Sequence, residues 1–293
     1  MRGRKRKWFQ LVSTFIHNGY VGFLANSNIY TGFLKNLCGP GLNCHSCPAS
    51  LFTCPLGILQ NFLISIRILS WQVLIGSFFY ILGFFLFFGL FLGRFICGWL
   101  CPFGFLQDLI YKIPFFKKQI KFPLHIENYL KFIFLIFFVI LLPLFIVNEI
   151  GYGILWFCKY ICPAGTIEAG YFNLLLQPSL FFLAGFIFYL KTFILILILI
   201  LCLVNFRFFC KNLCPLGLIY GLFNKIGILR LSLIKNNCNS CKVCEKVCPV
   251  NLYLPEEINS IDCIRCLNCL KICPTKAIKL KIYKPYEISN YQT

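Results

Sequence analysis

The sequence predicts an α-helical membrane protein of about four transmembrane helices, followed by a C-terminal α+β domain built around two cysteine quartets. Three observations lead there. Hydrophobic residues fill 59% of the 293 positions and charged residues only 13%, well below the quarter found in soluble domains. Several apolar runs are long enough to cross a bilayer. Eight of the nineteen cysteines repeat one spacing twice near the C-terminus.

Val73 to Gly93 carries no charged residue and, at ~1.5 Å per residue, covers a hydrocarbon core of ~30 Å. Phe132 to Val147 is shorter, but Lys131 and Asn148 at its borders reach the interface, while Leu180 to Phe206 is long and contains Lys191. Trp8 to Tyr30 is the most polar candidate, with aromatic residues at both ends, where membrane interfaces favour them. The basic start from Met1 to Lys7 suggests a secretory signal. However, His17, Asn18, Asn26 and Asn28 interrupt the adjoining apolar stretch and a small-residue cleavage site is lacking, so a retained first helix is expected.

Loop charge orients these spans. Arg2, Arg4, Lys5, Arg6 and Lys7 precede the first, and Lys112, Lys117, Lys118 and Lys121 come after the second, whereas the other two loops offer Lys35, Arg67 and Lys159. The positive-inside rule then places both termini in the cytoplasm of a multi-pass bacterial inner-membrane protein, with residues 31–70 and 149–179 outside.

Near the C-terminus, Cys238, Cys241, Cys244 and Cys248-Pro249 are followed by Cys263, Cys266, Cys269 and Cys273-Pro274. In this C-x2-C-x2-C-x3-C-P pattern three close thiolates hold one face of an iron-sulfur cube, and the fourth reaches the other cube. One [4Fe-4S] cluster is therefore expected on Cys238, Cys241, Cys244 and Cys273, and another on Cys263, Cys266, Cys269 and Cys248. Zinc sites use paired C-x2-C knuckles instead, and a reducing cytoplasm disfavours disulfides. Residues 232–284 are similar to a bacterial two-cluster ferredoxin, after a membrane domain at 1–231 and before a tail at 285–293.

Four times the chain presents Cys-Pro-x-Gly before an apolar helical stretch, at Cys54, Cys101, Cys162 and Cys214. Proline suits the first helical turn, so each cysteine falls at a helix start, where the backbone favours anions. Three of these motifs are C-x3-C-P pairs, Cys97/Cys101, Cys158/Cys162 and Cys210/Cys214, and each pair supplies half the ligands of a cluster. Span counting joins Cys97, Cys101, Cys210 and Cys214 at the inner face. Cys158 and Cys162 fall outside with Cys38, Cys44, Cys47 and Cys54, where Cys47 and Cys54 are the expected partners. A disulfide between spare cysteines, or a separate site on Cys38, Cys44, Cys47 and Cys54, remains open there. Redox-active thiols or plain packing are the alternatives for the pairs, and Cys202 is expected to pack.

The formal net charge is +19, but each oxidised four-cysteine cluster carries about −2, so four clusters leave about +11. The basic residues flank apolar spans, and nucleic acid is not an expected partner. His17 and Asn18 lie in the first expected span, where polar residues mark function. Glu149 and Glu168 lie near the outer cysteines, and Arg94 and Asp108 flank the inner pair. Of these, His17 and Glu149 are the candidates for a menaquinone or ubiquinone site. No nucleophile triad, phosphate loop or haem-attachment motif is present.

Four spans, C-x3-C-P motifs behind apolar helices and a tandem-cluster domain together resemble the NapH-type membrane ferredoxins, relatives of the NosR and MauN types. The resemblance rests on Cys97/Cys101, Cys210/Cys214 and the eight C-terminal cysteines. It implies a membrane subunit that oxidises quinol or relays electrons to partner oxidoreductases. The family pattern has two C-x3-C-P motifs, whereas this chain adds Cys158/Cys162 and the Cys38 to Cys54 loop. That addition favours redox centres near both faces, with redox partners on one or both sides. The expected function is transmembrane electron relay, with a quinol dehydrogenase subunit and a redox-sensing or metal-centre assembly factor as alternatives.

Overall fold

The computed structural model describes residues 2–23, 29–114, 126–149 and 151–282. The tail at 285–293 and Lys117, Lys118 and Lys121 lie outside the described residues, as do Asn26 and Asn28. The helical part begins with α1 (Arg2–His17), α2 (Pro55–Ser65), α3 (Trp71–Phe91), α4 (Phe95–Trp99) and α5 (Pro102–Ile110). Helix α6 (Ile126–Ile133) runs on through the wider-wound Phe134–Leu141 into Leu142–Phe145. Helical segments over Phe157–Ile161 and from Pro163–Gly165 to Phe172–Leu176 precede α7 (Phe186–Val204), α8 (Phe208–Asn212) and α9 (Pro215–Leu222). Strands β1 (Leu229–Leu233) and β2 (Ile278–Ile282) close the C-terminal domain as an antiparallel pair, Leu229 opposite Ile282.

Among the described residues two helices, α3 and α7, are long and apolar enough to cross a membrane, against about four expected. Only 17% of the most apolar window of each is buried, and Phe79, Phe87, Phe186 and Phe193 are all exposed, a larger apolar surface than water-facing helices carry. Gly185, in extended conformation, starts α7 later than the expected Leu180, after a tight turn over Pro178–Leu183. The expected Phe132 to Val147 span lies in a shorter apolar helix, Tyr129–Phe145.

The Trp8 to Tyr30 segment is not one span. Helix α1 stops at His17, and the chain turns so that Leu51 N–H donates to the His17 carbonyl and Tyr20 N–H to that of Ala49. Its polar residues explain why it packs against protein. Ser13 Oγ donates to Leu100 O (2.8 Å), and Gln10 Nε2 to Gly98 O (3.2 Å) and Asp108 (3.0 Å).

The loop from 38 to 54, expected to face outside, folds into the helical core. Leu42, Asn43 and Ser50 are buried, and Gly41 lies against Cys101 and Pro102, where a Cβ would come within 2.8 Å of the proline ring. A second core of Leu231, Val250, Leu252, Ile258 and Ile264 fills the C-terminal domain.

The two parts are joined by one loop. Arg265 donates from Nη1 to Leu92 O (3.0 Å) and from Nη2 to Asn224 O (2.9 Å), while Trp99 Nε1 donates to Arg265 O (3.1 Å). Asn224 Nδ2 reaches Ser260 O (2.9 Å) and Cys263 O (2.8 Å). Asp262 accepts from Arg94 (3.1 Å) and Lys131 (2.5 Å). At the centre of this joint the Ile264 carbonyl sits where a side chain on Gly98 would be. Gly98→Ala is thus expected to destabilise the protein by about 1–3 kcal/mol through overpacking. Thermal melting checks it, with Gly76→Ala, open on all sides, expected to melt like the parent.

Candidate metal centres

The Cys-Pro-x-Gly repeat has a local cause. Each cysteine precedes the first helical turn with proline at its start, and at three of the four the sulfur accepts the glycine N–H: Gly104 to Cys101 (3.4 Å), Gly165 to Cys162 (3.4 Å) and Gly217 to Cys214 (3.3 Å). This is the N-cap bond with sulfur as acceptor. Glycine at this place also admits a partner. A Cβ on Gly217 would lie 2.9 Å from Arg94 Nη2, and one on Gly104 would lie 3.4 Å from Arg207 Nη1.

These arginines brace the buried set of Cys97, Cys101, Cys210 and Cys214 reciprocally. Arg94, three residues before Cys97, donates to Cys210 O (2.6 Å) and Gly217 O (2.8 Å); Arg207, three before Cys210, donates to Cys97 O. Each motif's arginine therefore holds the other motif's backbone. All four thiols of the two pairs are buried, Cys97, Cys101 and Cys214 within one apolar core. Gln107 on α5 donates to Cys210 Sγ (3.0 Å), and Cys202, wholly buried, donates to Gln107 Oε1 (3.5 Å).

Arg94 and Asp108, which flank the Cys97/Cys101 pair, are both engaged in ion pairs. Asp108 holds Arg207 at 2.6 Å and Arg6 at 2.7 Å. The signal for this bracing was the shared R-x-x-C-x-x-x-C-P spacing at 94–102 and 207–215, which reading cysteines alone passes over.

A cavity of about 440 Å³ is lined by Cys44, Cys54, Cys158 and Cys162, together with His45, Asn61, Tyr152 and Lys191. Cys47 does not line it. It packs against Phe23 and Ala49 instead, and Cys38 pairs with Thr53 in an isolated bridge. Lys191 reaches in from α7, its Nζ donating to Cys158 O (3.3 Å).

Glu168 accepts the Cys44 N–H (2.5 Å), and burial pushes its carboxyl up to about 8. Gln60 accepts the Cys158 N–H (3.1 Å). Gln60, Gln107, Glu168 and Tyr220 all stand six residues after a Cys-Pro cysteine. Each reaches across to another cysteine-bearing segment, Tyr220 by donating to Pro40 O (3.0 Å). A polar residue at that repeat position is the sequence signal for these contacts.

The quinone candidates are placed elsewhere. His17 is buried, with Nδ1 donating to Ser13 O (2.7 Å) and its ring edge-on to Phe52; Nε2 has no hydrogen-bond partner among the described residues. Glu149 is exposed. Neither lines the cavity beside Cys158.

In the C-terminal domain, Cys238, Cys241, Cys244 and Cys273 line a cavity of about 120 Å³, and Cys248, Cys263, Cys266 and Cys269 line one of about 20 Å³. Backbone conformation repeats with the motif. Ser240 and Arg265, Lys242 and Leu267, and Asn251 and Lys276 occupy matching places, all at positive φ between 48° and 64°. Non-glycine residues held there cost energy, so the same strained turns are built twice, once around each cavity. Among the described residues no three His, Cys, Asp or Glu side chains converge on a single-ion site. Four thiols around each cavity fit a multi-iron anionic cluster.

Comparison with known proteins agrees with this chemistry. A family described as 4Fe-4S binding domain matches residues 74–123 and again 185–234, one copy for each arginine-braced cysteine pair, and a second family of that description matches 256–279. The uncharacterized protein MJ0750 of Methanocaldococcus jannaschii is 30% identical over 192 residues, 64% of this chain and 72% of that protein. The chain is a 4Fe-4S binding protein of the MJ0750 family. MJ0749 of the same organism is 29% identical over 199 residues, 65% of each chain, so the present chain spans slightly under two thirds of that relative. The methylamine utilization ferredoxin-type protein MauN of Methylobacillus flagellatus is 29% identical over 202 residues, 67% of this chain and 61% of MauN. No solved structure matches the chain. This member of the MJ0750 family thus resembles ferredoxin-type electron-transfer proteins.

Proposed function

We propose that the protein is a multi-pass membrane relay carrying four [4Fe-4S] clusters, on Cys238/Cys241/Cys244/Cys273, Cys263/Cys266/Cys269/Cys248, Cys97/Cys101/Cys210/Cys214 and Cys44/Cys54/Cys158/Cys162. The clusters supply one-electron storage; the chain holds them in order. The observation that carries this reading is the joint at residues 260–265. It fastens the loop bearing Cys263 to Leu92, Arg94, Trp99 and Asn224, next to both arginine-braced pairs.

From there the 38–54 loop continues the line, with Gly41 on Cys101 and Cys44 on the next cavity. A hydrocarbon core of ~30 Å is long for a single centre, and the C-terminal cysteines belong on the cytoplasmic side, where thiols stay reduced. The NapH-type assignment belongs to this same reading. Redox-titrated EPR with iron and sulfide counting tests it. Four centres are expected, with Cys97→Ser and Cys210→Ser each removing the same one; losing different centres would refute the pairing, and two centres in the parent would confine transfer to the C-terminal domain.

The quinol dehydrogenase reading is supported by the 440 Å³ cavity, within the ~300–1,000 Å³ of small-molecule sites. There His45, Asn61, Tyr152 and Lys191, rather than His17 or Glu149, offer polar groups beside the thiols. Menaquinol or ubiquinol added to proteoliposomes should reduce the adjacent cluster; no reduction would dismiss this reading while leaving the relay intact.

A further inference from the structure

We infer that the lysine-rimmed face around Cys238, Cys241, Cys244 and Cys273 docks an acidic soluble redox protein, which exchanges single electrons with the cluster proposed there. The inference rests on the relay reading and adds the chemistry of its cytoplasmic partner.

Cys241 is the only exposed cysteine of the nineteen, and its three companions are half-buried. By contrast, the four cysteines of the arginine-braced set are all buried, as are Cys263, Cys266 and Cys269. The first C-terminal set is therefore where the proposed chain of centres comes nearest to solvent. Lys235, Lys242, Lys246 and Lys276 lie within three residues of these cysteines along the chain, all exposed, with Lys279 and Lys281 exposed on β2. Lys242 lines the cavity itself, against a single rim carboxylate, Glu256. None of these six lysines is in an ion pair among the described residues.

The sheet adds to the imbalance. Lys279 and Lys281 lie two apart on β2, both exposed, and so share one face of the pair. Such a concentration of one sign serves encounter rather than folding: it raises the association rate of an oppositely charged partner and is screened by salt.

Position argues against a lipid headgroup as the occupant. Lipid-binding basic clusters directly flank an apolar span, whereas this face lies beyond α9 and β1 and surrounds a cysteine cavity. The step balances simply. The partner's centre loses one electron, the cluster gains one, and no bond or proton moves; the reverse holds for flow the other way.

The test uses the full chain in neutral phosphatidylcholine nanodiscs, mixed in a stopped-flow instrument with reduced plant-type ferredoxin as the acidic probe. Between about 10 and 150 mM salt, where the Debye length shrinks from ~30 to ~8 Å, the second-order rate of cluster reduction should fall at least tenfold. At low salt a Lys235→Glu, Lys246→Glu, Lys276→Glu variant should be at least tenfold slower, with unchanged iron, sulfide and dithionite-reduced EPR signal. Should that variant fail to assemble clusters, the corresponding glutamine variant should show a smaller slowing in the same direction. A salt-independent rate, or a fully assembled variant as fast as the parent, overturns the inference. So does loss of phosphatidylserine-vesicle binding with the ferredoxin rate intact, which would make the patch a lipid site. Fast, salt-sensitive reduction of the first centre with the membrane-domain centres never responding would defeat the relay reading alone.

Discussion

Replacing Cys44 with serine is expected to abolish one EPR-detectable centre, while Cys47→Ser leaves every centre in place. The two residues stand three apart in one loop, and both are free thiols. Their surroundings separate them. Cys44 faces the cavity shared with Cys54, Cys158 and Cys162, and its N–H is held by Glu168. Cys47 points into the small apolar cluster of Phe23 and Ala49, with Tyr20 and Phe172 packed around. Serine there replaces one small buried side chain, whereas serine at Cys44 removes a quarter of the proposed thiolate set. Iron and sulfide counts on both purified variants decide the matter, and the opposite pattern would restore Cys47 as the ligand.

Asp108→Ala is expected to cost about 3–5 kcal/mol, the range for breaking a buried ion pair from one side. The carboxylate accepts from Arg207 through both oxygens (2.6 and 2.8 Å), from Arg6 (2.7 Å) and from Gln10 (3.0 Å). Arg207 is wholly buried, so alanine would leave its guanidinium without a counter-charge. The same arginine holds the Cys97 carbonyl, and the damage should therefore extend to the cluster proposed on that pair.

Burial pushes the Asp108 carboxyl up, but Arg207 and Arg6 outweigh it and hold it below the ordinary carboxylate value. A depressed folded-state pKa means the stabilisation is full above the unfolded-state value and is lost as pH falls through the folded one. Thermal melting at neutral pH should show the whole deficit, and the gap between parent and variant should narrow only on strong acidification. The double variant Asp108→Leu, Arg207→Met should recover much of the stability, because apolar replacement of a buried pair is often neutral, without recovering the bracing of Cys97.

What can be read along the chain depends on spacing. The eight C-terminal cysteines fall around two cavities in the grouping that their triplet-plus-one pattern suggests, because a short loop confines three thiols to one place. The four Cys-Pro helix starts arise from proline and glycine acting within one turn. Span counting does less well. Trp8 to Tyr30 has the composition of a polar helix across the bilayer, yet Gln10, Ser13 and His17 find partners on α5, on the 98–100 backbone and within α1, and the helix ends. Hydropathy registers polar residues as a cost without showing whether a neighbour relieves it.

The sequence alone determined that this protein handles iron and sulfur, that it is rich in apolar helices, and which cysteines start helices, because each of these is settled within a few residues by covalent spacing and backbone geometry. Tertiary structure alone decided the rest. Cys44 rather than Cys47 faces Cys158, Arg94 and Arg207 cross to each other's motifs, and Asp262 fastens one domain to the other. These contacts join residues about 100 or more positions apart. Their partners are chosen by which buried carbonyls and charges must be satisfied once the helices pack, and no local pattern carries that information.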